Sequence, residues 1–100
     1  MTLCKKMKIA TRYSIEAAFQ ITEGAQIILT SISTREPSPC VKGDHIVIQS
    51  LSGRIEHTKV GAIEFALKPG GVEFYGLALD GEEIFELVDF TGGFFDIDYQ

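Results

Sequence analysis

Apolar side chains in this chain recur at every second residue, in short runs, and that period of two constrains the fold more than any other feature. In "YSIEAAFQI", Ile15, Ala17, Phe19 and Ile21 share one face. In "QIILTSIS", Ile28, Thr30 and Ile32 oppose Ile27 and Leu29, and "HIVIQSL" carries Ile46, Ile48 and Ser50 together. "KVGAIEFAL" sets Gly61, Ile63, Phe65 and Leu67 against Ala62, Glu64 and Ala66. "VEFYGLAL" sets Val72, Phe74, Gly76 and Ala78 against Tyr75, Leu77 and Leu79. Runs of this length, rich in Ile, Val, Phe and Tyr, are half-buried strands.

The breaks between the runs agree. Glu23-Gly24, Pro37-Ser38-Pro39, Lys42-Gly43-Asp44, Ser52-Gly53, Pro69-Gly70-Gly71, Asp80-Gly81 and Gly92-Gly93 are turn-forming groups. Proline cannot donate to a sheet ladder, so "TREPSPC" is a loop between strands. One segment departs from the period. In "DGEEIFELVDF", Ile84, Leu87 and Val88 are spaced three and four apart, which predicts a short helical turn near residues 82–88, with a strand as the alternative. The expected fold is all-β: a small closed or nearly closed antiparallel barrel of six to seven strands with that one helical turn. Residues 1–12 are expected to form an N-terminal tail or first strand, and residues 13–100 the single barrel domain.

One hundred residues with 45% hydrophobic and 23% charged side chains suit one ordinary globular core. No run of eighteen apolar residues occurs, so no membrane span is expected. The start "MTLCKKMKIATRYS" has basic residues but no apolar stretch of a secretory signal. The two cysteines, Cys4 and Cys40, are too few for a disulfide scaffold, and reduced thiols and a cytoplasmic location are the expectation.

Charge is lopsided. The net charge is -5, and after Lys68 no lysine or arginine occurs. The acids Asp80, Glu82, Glu83, Glu86, Asp89, Asp96 and Asp98 crowd the stretch from residue 80 to residue 98. Such a surface repels a phosphate backbone and attracts cations. These seven residues are the expected partner-binding set, and a basic protein is the expected partner, met by a monomer or homodimer. Lys5, Lys6, Lys8 and Arg12 are the one basic group suited to RNA contact, the alternative. The alternation of aromatics and acids in "FTGGFFDIDY" also offers an edge for pairing with a partner strand.

"CVKGDHIVIQ" packs Cys40, Lys42, Asp44 and His45 together and raises chemistry. Cys40, Asp44, His45, His57 and Cys4 are metal-ligating types, but they lack the paired spacing of structural zinc sites. Cys40 and His45 are the nucleophile and base of a small-enzyme reading. An active thiolate needs cationic neighbours, and Lys42 is a weak one. A turn explains the segment without further assumptions: Gly43 takes positive φ, Asp44 bonds back to the turn amides, and a strand follows. If Ile46 and Ile48 point inward, His45 points outward. No metal, cofactor or catalytic residue is therefore expected.

From Ile15 onward the chain also resembles the second-domain β-barrel of the translation GTPases, the elongation factor Tu-like proteins. "IEAAFQI" is similar to that family's opening strand and "AQIILTSIS" to its second. "VKGDHIVI" resembles its lysine-glycine-acid turn and third strand. "KVGAIEF", "GLALDG", "EEI" and a final strand "FFDID" follow in the family's order. The resemblance implies a stand-alone barrel and, as an alternative function, an RNA- or ribosome-associated accessory domain of translation. It does not carry GTP hydrolysis, because no Gly-x4-Gly-Lys-Ser/Thr loop occurs. No residue here matches a tRNA-binding motif. The leading expectation remains a non-catalytic protein-binding module, of immunity or inhibitor type, docking a basic partner. Acting against a toxin or nuclease, or mimicking the translation-factor barrel at a shared surface, would fit it.

Overall fold

The computed structural model describes residues 12–21 and 24–98. Among the described residues six strands form: β1 (Arg12–Gln20), β2 (Gln26–Ser33), β3 (His45–Gln49), β4 (Ile55–Leu67), β5 (Glu73–Leu79) and β6 (Phe94–Ile97). Every pairing is antiparallel, and the strands close in the order β1-β2-β5-β4-β3-β6, with β6 returning to β1. The expected barrel is therefore present, with six strands. Because β6 is paired with both β1 and β3, it has no free edge to offer a partner strand.

Alternation places the core where it runs unbroken. Ile46, Ile48 and Ser50 all face inward, as do Phe95 and Ile97 of β6. Each large apolar side chain so buried contributes roughly 1.5–3 kcal/mol. The turn before β3 forms as expected. Gly43 has φ +97°, and the Asp44 carboxylate accepts a 2.9 Å hydrogen bond from the Val41 amide. A Cβ at this φ would be strained, which explains glycine there.

Two strands change face through bulges. In β1, Ile15 pairs with Thr30 but Ala17 pairs with Leu29, so one extra residue enters at Glu16. The inward positions become Ile15 and Ala18, and the expected common face of Ile15, Ala17, Phe19 and Ile21 splits. A bulge inserts a residue and reverses the parity of everything beyond it. In β4, Val60 pairs with Leu79 and Ala62 with Ala78, leaving Gly61 as the extra residue. The β2 interior is Gln26, Ile28 and Thr30, while Ile32 is only half-buried beside an irregularity between Leu29 and Ser33.

The connection from β5 to β6 completes the core. It holds one short helical turn, a 3-10 turn at Leu87–Phe90, which starts later than expected and overlaps the expected span only at residues 87 and 88. Ile84 and Leu87 are buried, Val88 is exposed, and Phe90 takes the inward place. Three residues per turn put Leu87 and Phe90 on the same side, which is why spacing of three wins. Side chains bind this connection to the barrel. The Gln26 amide donates to the Ile84 carbonyl at 2.7 Å and accepts from the Ile84 amide at 2.8 Å. The Thr91 hydroxyl accepts from the Ala18 amide at 3.0 Å. Buried polar groups matched in this way leave no desolvation penalty behind.

Candidate functional site

The seven acids fall into three situations. Asp80, Glu82, Glu83 and Glu86 stand exposed on the β5–β6 connection, and none is among the ion pairs of the described residues. Asp89 and Asp96 are engaged, Asp89 with Arg54 at 3.6 Å and Asp96 with Arg12 at 3.4 Å. Asp98 is exposed just beyond β6. Exposed pairs of this kind contribute under about 1 kcal/mol, yet they partly neutralise the two carboxylates. Arg12 of the proposed RNA group is thus tied to an acid of the barrel. Lys5, Lys6 and Lys8 lie outside the described residues.

Two apolar side chains stand among the free acids. Phe85 is 75% exposed and Val88 62% exposed, flanked in sequence by Glu82, Glu83 and Glu86. Their neighbours Ile84 and Leu87 are buried, so the backbone geometry that sends those inward sends Phe85 and Val88 out. Glu86 itself adopts a left-handed conformation, φ 51° and ψ 53°, an arrangement uncommon outside glycine and asparagine. The acids here are evident from the sequence alone; the exposed aromatic among them is not. The signal was present in "EEIFEL", where adjacent Ile84 and Phe85 cannot both face one core.

A second cluster lies where β3, β4, β5 and β6 meet. Ile46 pairs with Ile97, which sets Asp98 beside His45, and the Asp98 amide donates to the His45 carbonyl at 2.8 Å. His45 pairs with Lys59, and the Asp80 amide donates to the Lys59 carbonyl at 2.7 Å. Asp98, His45, Lys59 and Asp80 therefore run in one row across neighbouring chain segments. His57, two residues before Lys59, joins them. Together with Thr58 and Gly81 they line an open cleft of about 290 Å³. None of these five charged or imidazole side chains belongs to an ion pair of the described residues. The buried Thr58 hydroxyl, also on the lining, has no hydrogen-bond partner among the described residues, and a Cβ on Gly81 would come within 2.9 Å of it. Lys59 was not singled out from sequence, because its relation to Asp80 and Asp98 exists only through register.

The small-enzyme pair is not brought together. Cys40 is 3% exposed in the core, while His45 lies on the exposed outer face. Burial, then the nearby Asp44 carboxylate, push the Cys40 thiol up to about 11. A protonated, enclosed thiol is a poor nucleophile. Among the described residues no group of three or more His, Cys, Asp and Glu is placed to hold a metal ion. Of the metal-ligating types, Cys4 lies outside the described residues. No helix among the described residues is long and apolar enough to cross a membrane.

Compared with protein-family models, with curated proteins and with solved structures, the chain gives no match.

Proposed function

We propose that this barrel is a non-catalytic protein-binding module that docks a basic partner through the β5–β6 connection. The observation that carries the reading is the exposed pair Phe85 and Val88 standing among Glu82, Glu83 and Glu86. An apolar anchor with a charged rim is the usual anatomy of a recognition surface, the anchor giving affinity and the rim giving selectivity and fast encounter. A role as an immunity-type inhibitor of a cationic toxin or nuclease suits such a surface. The alternative, an RNA- or ribosome-associated accessory domain, gains less support, since Arg12 is occupied by Asp96.

Capture from native lysate on the immobilised protein tests the reading. The expected result is recovery of a basic protein whose binding falls steeply with salt and is lost in a Glu82→Lys, Glu83→Lys, Glu86→Lys variant. Phe85→Ser is expected to weaken the same binding without changing its salt dependence. Binding that survives the charge reversal would overturn the assignment. Co-sedimentation with ribosomes, lost on replacing Lys5, Lys6 and Lys8 with Glu, would favour the alternative.

A further inference from the structure

We propose that the cleft bounded by His45, His57, Asp80 and Asp98 is the seat for one arginine side chain of that partner. This rests on the basic-partner reading and specifies how the partner is held.

The charge of the cleft selects the ligand's sign. Asp80 and Asp98 supply two carboxylates against the single ammonium of Lys59. Glu82 and Glu83, both exposed, follow Gly81 directly in the chain and add to the local negative charge. A cation is drawn to such a field and an anion is not. The size selects a single side chain. At about 290 Å³ the cleft sits at the lower limit of small-molecule sites, too small for a nucleotide cofactor. The shape of the lining selects guanidinium over ammonium. Two imidazoles, His45 of β3 and His57 of β4, are among the lining side chains, and Asp98 and Asp80 stand at the two ends of the row. A planar guanidinium stacks on aromatic faces while its edges donate to carboxylates; a lysine ammonium does only the second. Among the described residues, the side chains that would make these contacts have no ionic partner, and the Thr58 hydroxyl on the same lining has no hydrogen-bond partner.

Lys59 opposes the proposed ligand, and that opposition makes the sign of the site measurable. The experiment is an NMR titration of the full chain with the neutral-capped peptide acetyl-Gly-Arg-Gly-amide, following the His45 and His57 ring signals and the Gly81 and Asp98 amides. Saturable shifts confined to the cleft are expected. Asp80→Asn and Asp98→Asn should each weaken binding about two- to five-fold, the effect of an exposed ion pair. Lys59→Met should strengthen it by a similar factor. Absence of saturable shifts at the cleft overturns the proposal. So do reversed signs, with Lys59→Met weakening binding, which would mark an anion site. Equal binding of acetyl-Gly-Lys-Gly-amide would overturn the guanidinium assignment. The failures are separable: if the Asp80→Asn, Asp98→Asn double variant retains the captured protein in full, the cleft assignment falls while docking at residues 82–86 stands. If the charge-reversed variant at residues 82, 83 and 86 retains it, docking itself falls.

Discussion

Strands β3 and β4 alternate equally well in sequence, yet only β3 buries what its alternation promises. Ile46 and Ile48 are fully enclosed, with β4 on one side and β6 on the other. β4 behaves the same way only over its first half, where it pairs with β3 and where Thr58 and Val60 are buried. Beyond the Gly61 bulge, residues Ala62 to Leu67 pair with β5 alone among the described residues. There Phe65 is 62% exposed and Leu67 72% exposed. Phe65 has Tyr75 as an aromatic neighbour, at 6.0 Å between ring centroids. The difference teaches that alternation determines which side a residue faces, whereas burial depends on whether another strand or loop covers that side. The first is a local property of the backbone and the second is not.

Four measurements break or sharpen this contrast. The largest effect is expected where β3 and β6 meet. A methyl on Gly93 would collide with the Gln49 carbonyl and come within 3.1 Å of the Phe90 carbonyl. Gly93→Ala should therefore cost about 4 kcal/mol or more in urea denaturation, since backbone atoms cannot step aside. Next, Ile48→Ala removes a fully enclosed side chain and should cost about 2–5 kcal/mol by the same measurement. A loss below that range would mean that the regular half of the barrel is no better packed than the exposed half.

The third measurement concerns the thiol that leads into β3. Cys40 stays protonated in the fold up to about pH 11, against an ordinary value of 9.0. Between these values the unfolded chain gives up the proton and the folded chain keeps it. Stability should therefore be intact below pH 9 and decline by about 2 kcal/mol as pH rises toward 11. In a Cys4→Ser background, comparison with Cys40→Ala isolates this dependence. The same background should show native Cys40 unreactive toward a thiol reagent at neutral pH and reactive once unfolded. The smallest effect belongs to the other end of β4. Leu67→Ala should change stability by about 0.5 kcal/mol or less. A larger loss would show that something covers the hairpin in solution.

Much of the architecture was legible because its signals are local. The Gly43 turn, the inward Ile46 and Ile48, the outward His45 and the loop through Pro37 and Pro39 follow from neighbouring residues. The bulge at Glu16 was hidden, because a glutamate between Ile15 and Ala17 looks like an ordinary polar position in an alternating run. The outward place of Val88 was hidden, because spacings of three and four both fit a helix until the turn tightens. The exposed acids at residues 80–86 were legible as charge. The row Asp98, His45, Lys59, Asp80 was not, since its members are brought side by side only by strand register, which no short stretch of sequence encodes.

The Gln26 amide grips Ile84 in both directions, and this has a consequence for recognition. To loosen the acidic turn, two hydrogen bonds must break together and the side chains of Ile84, Leu87 and Phe90 must leave the interior. The carboxylates and Phe85 are thereby displayed on a fixed platform. For a partner docking there as proposed, association would sacrifice little chain freedom, so that contact would convert more fully into affinity.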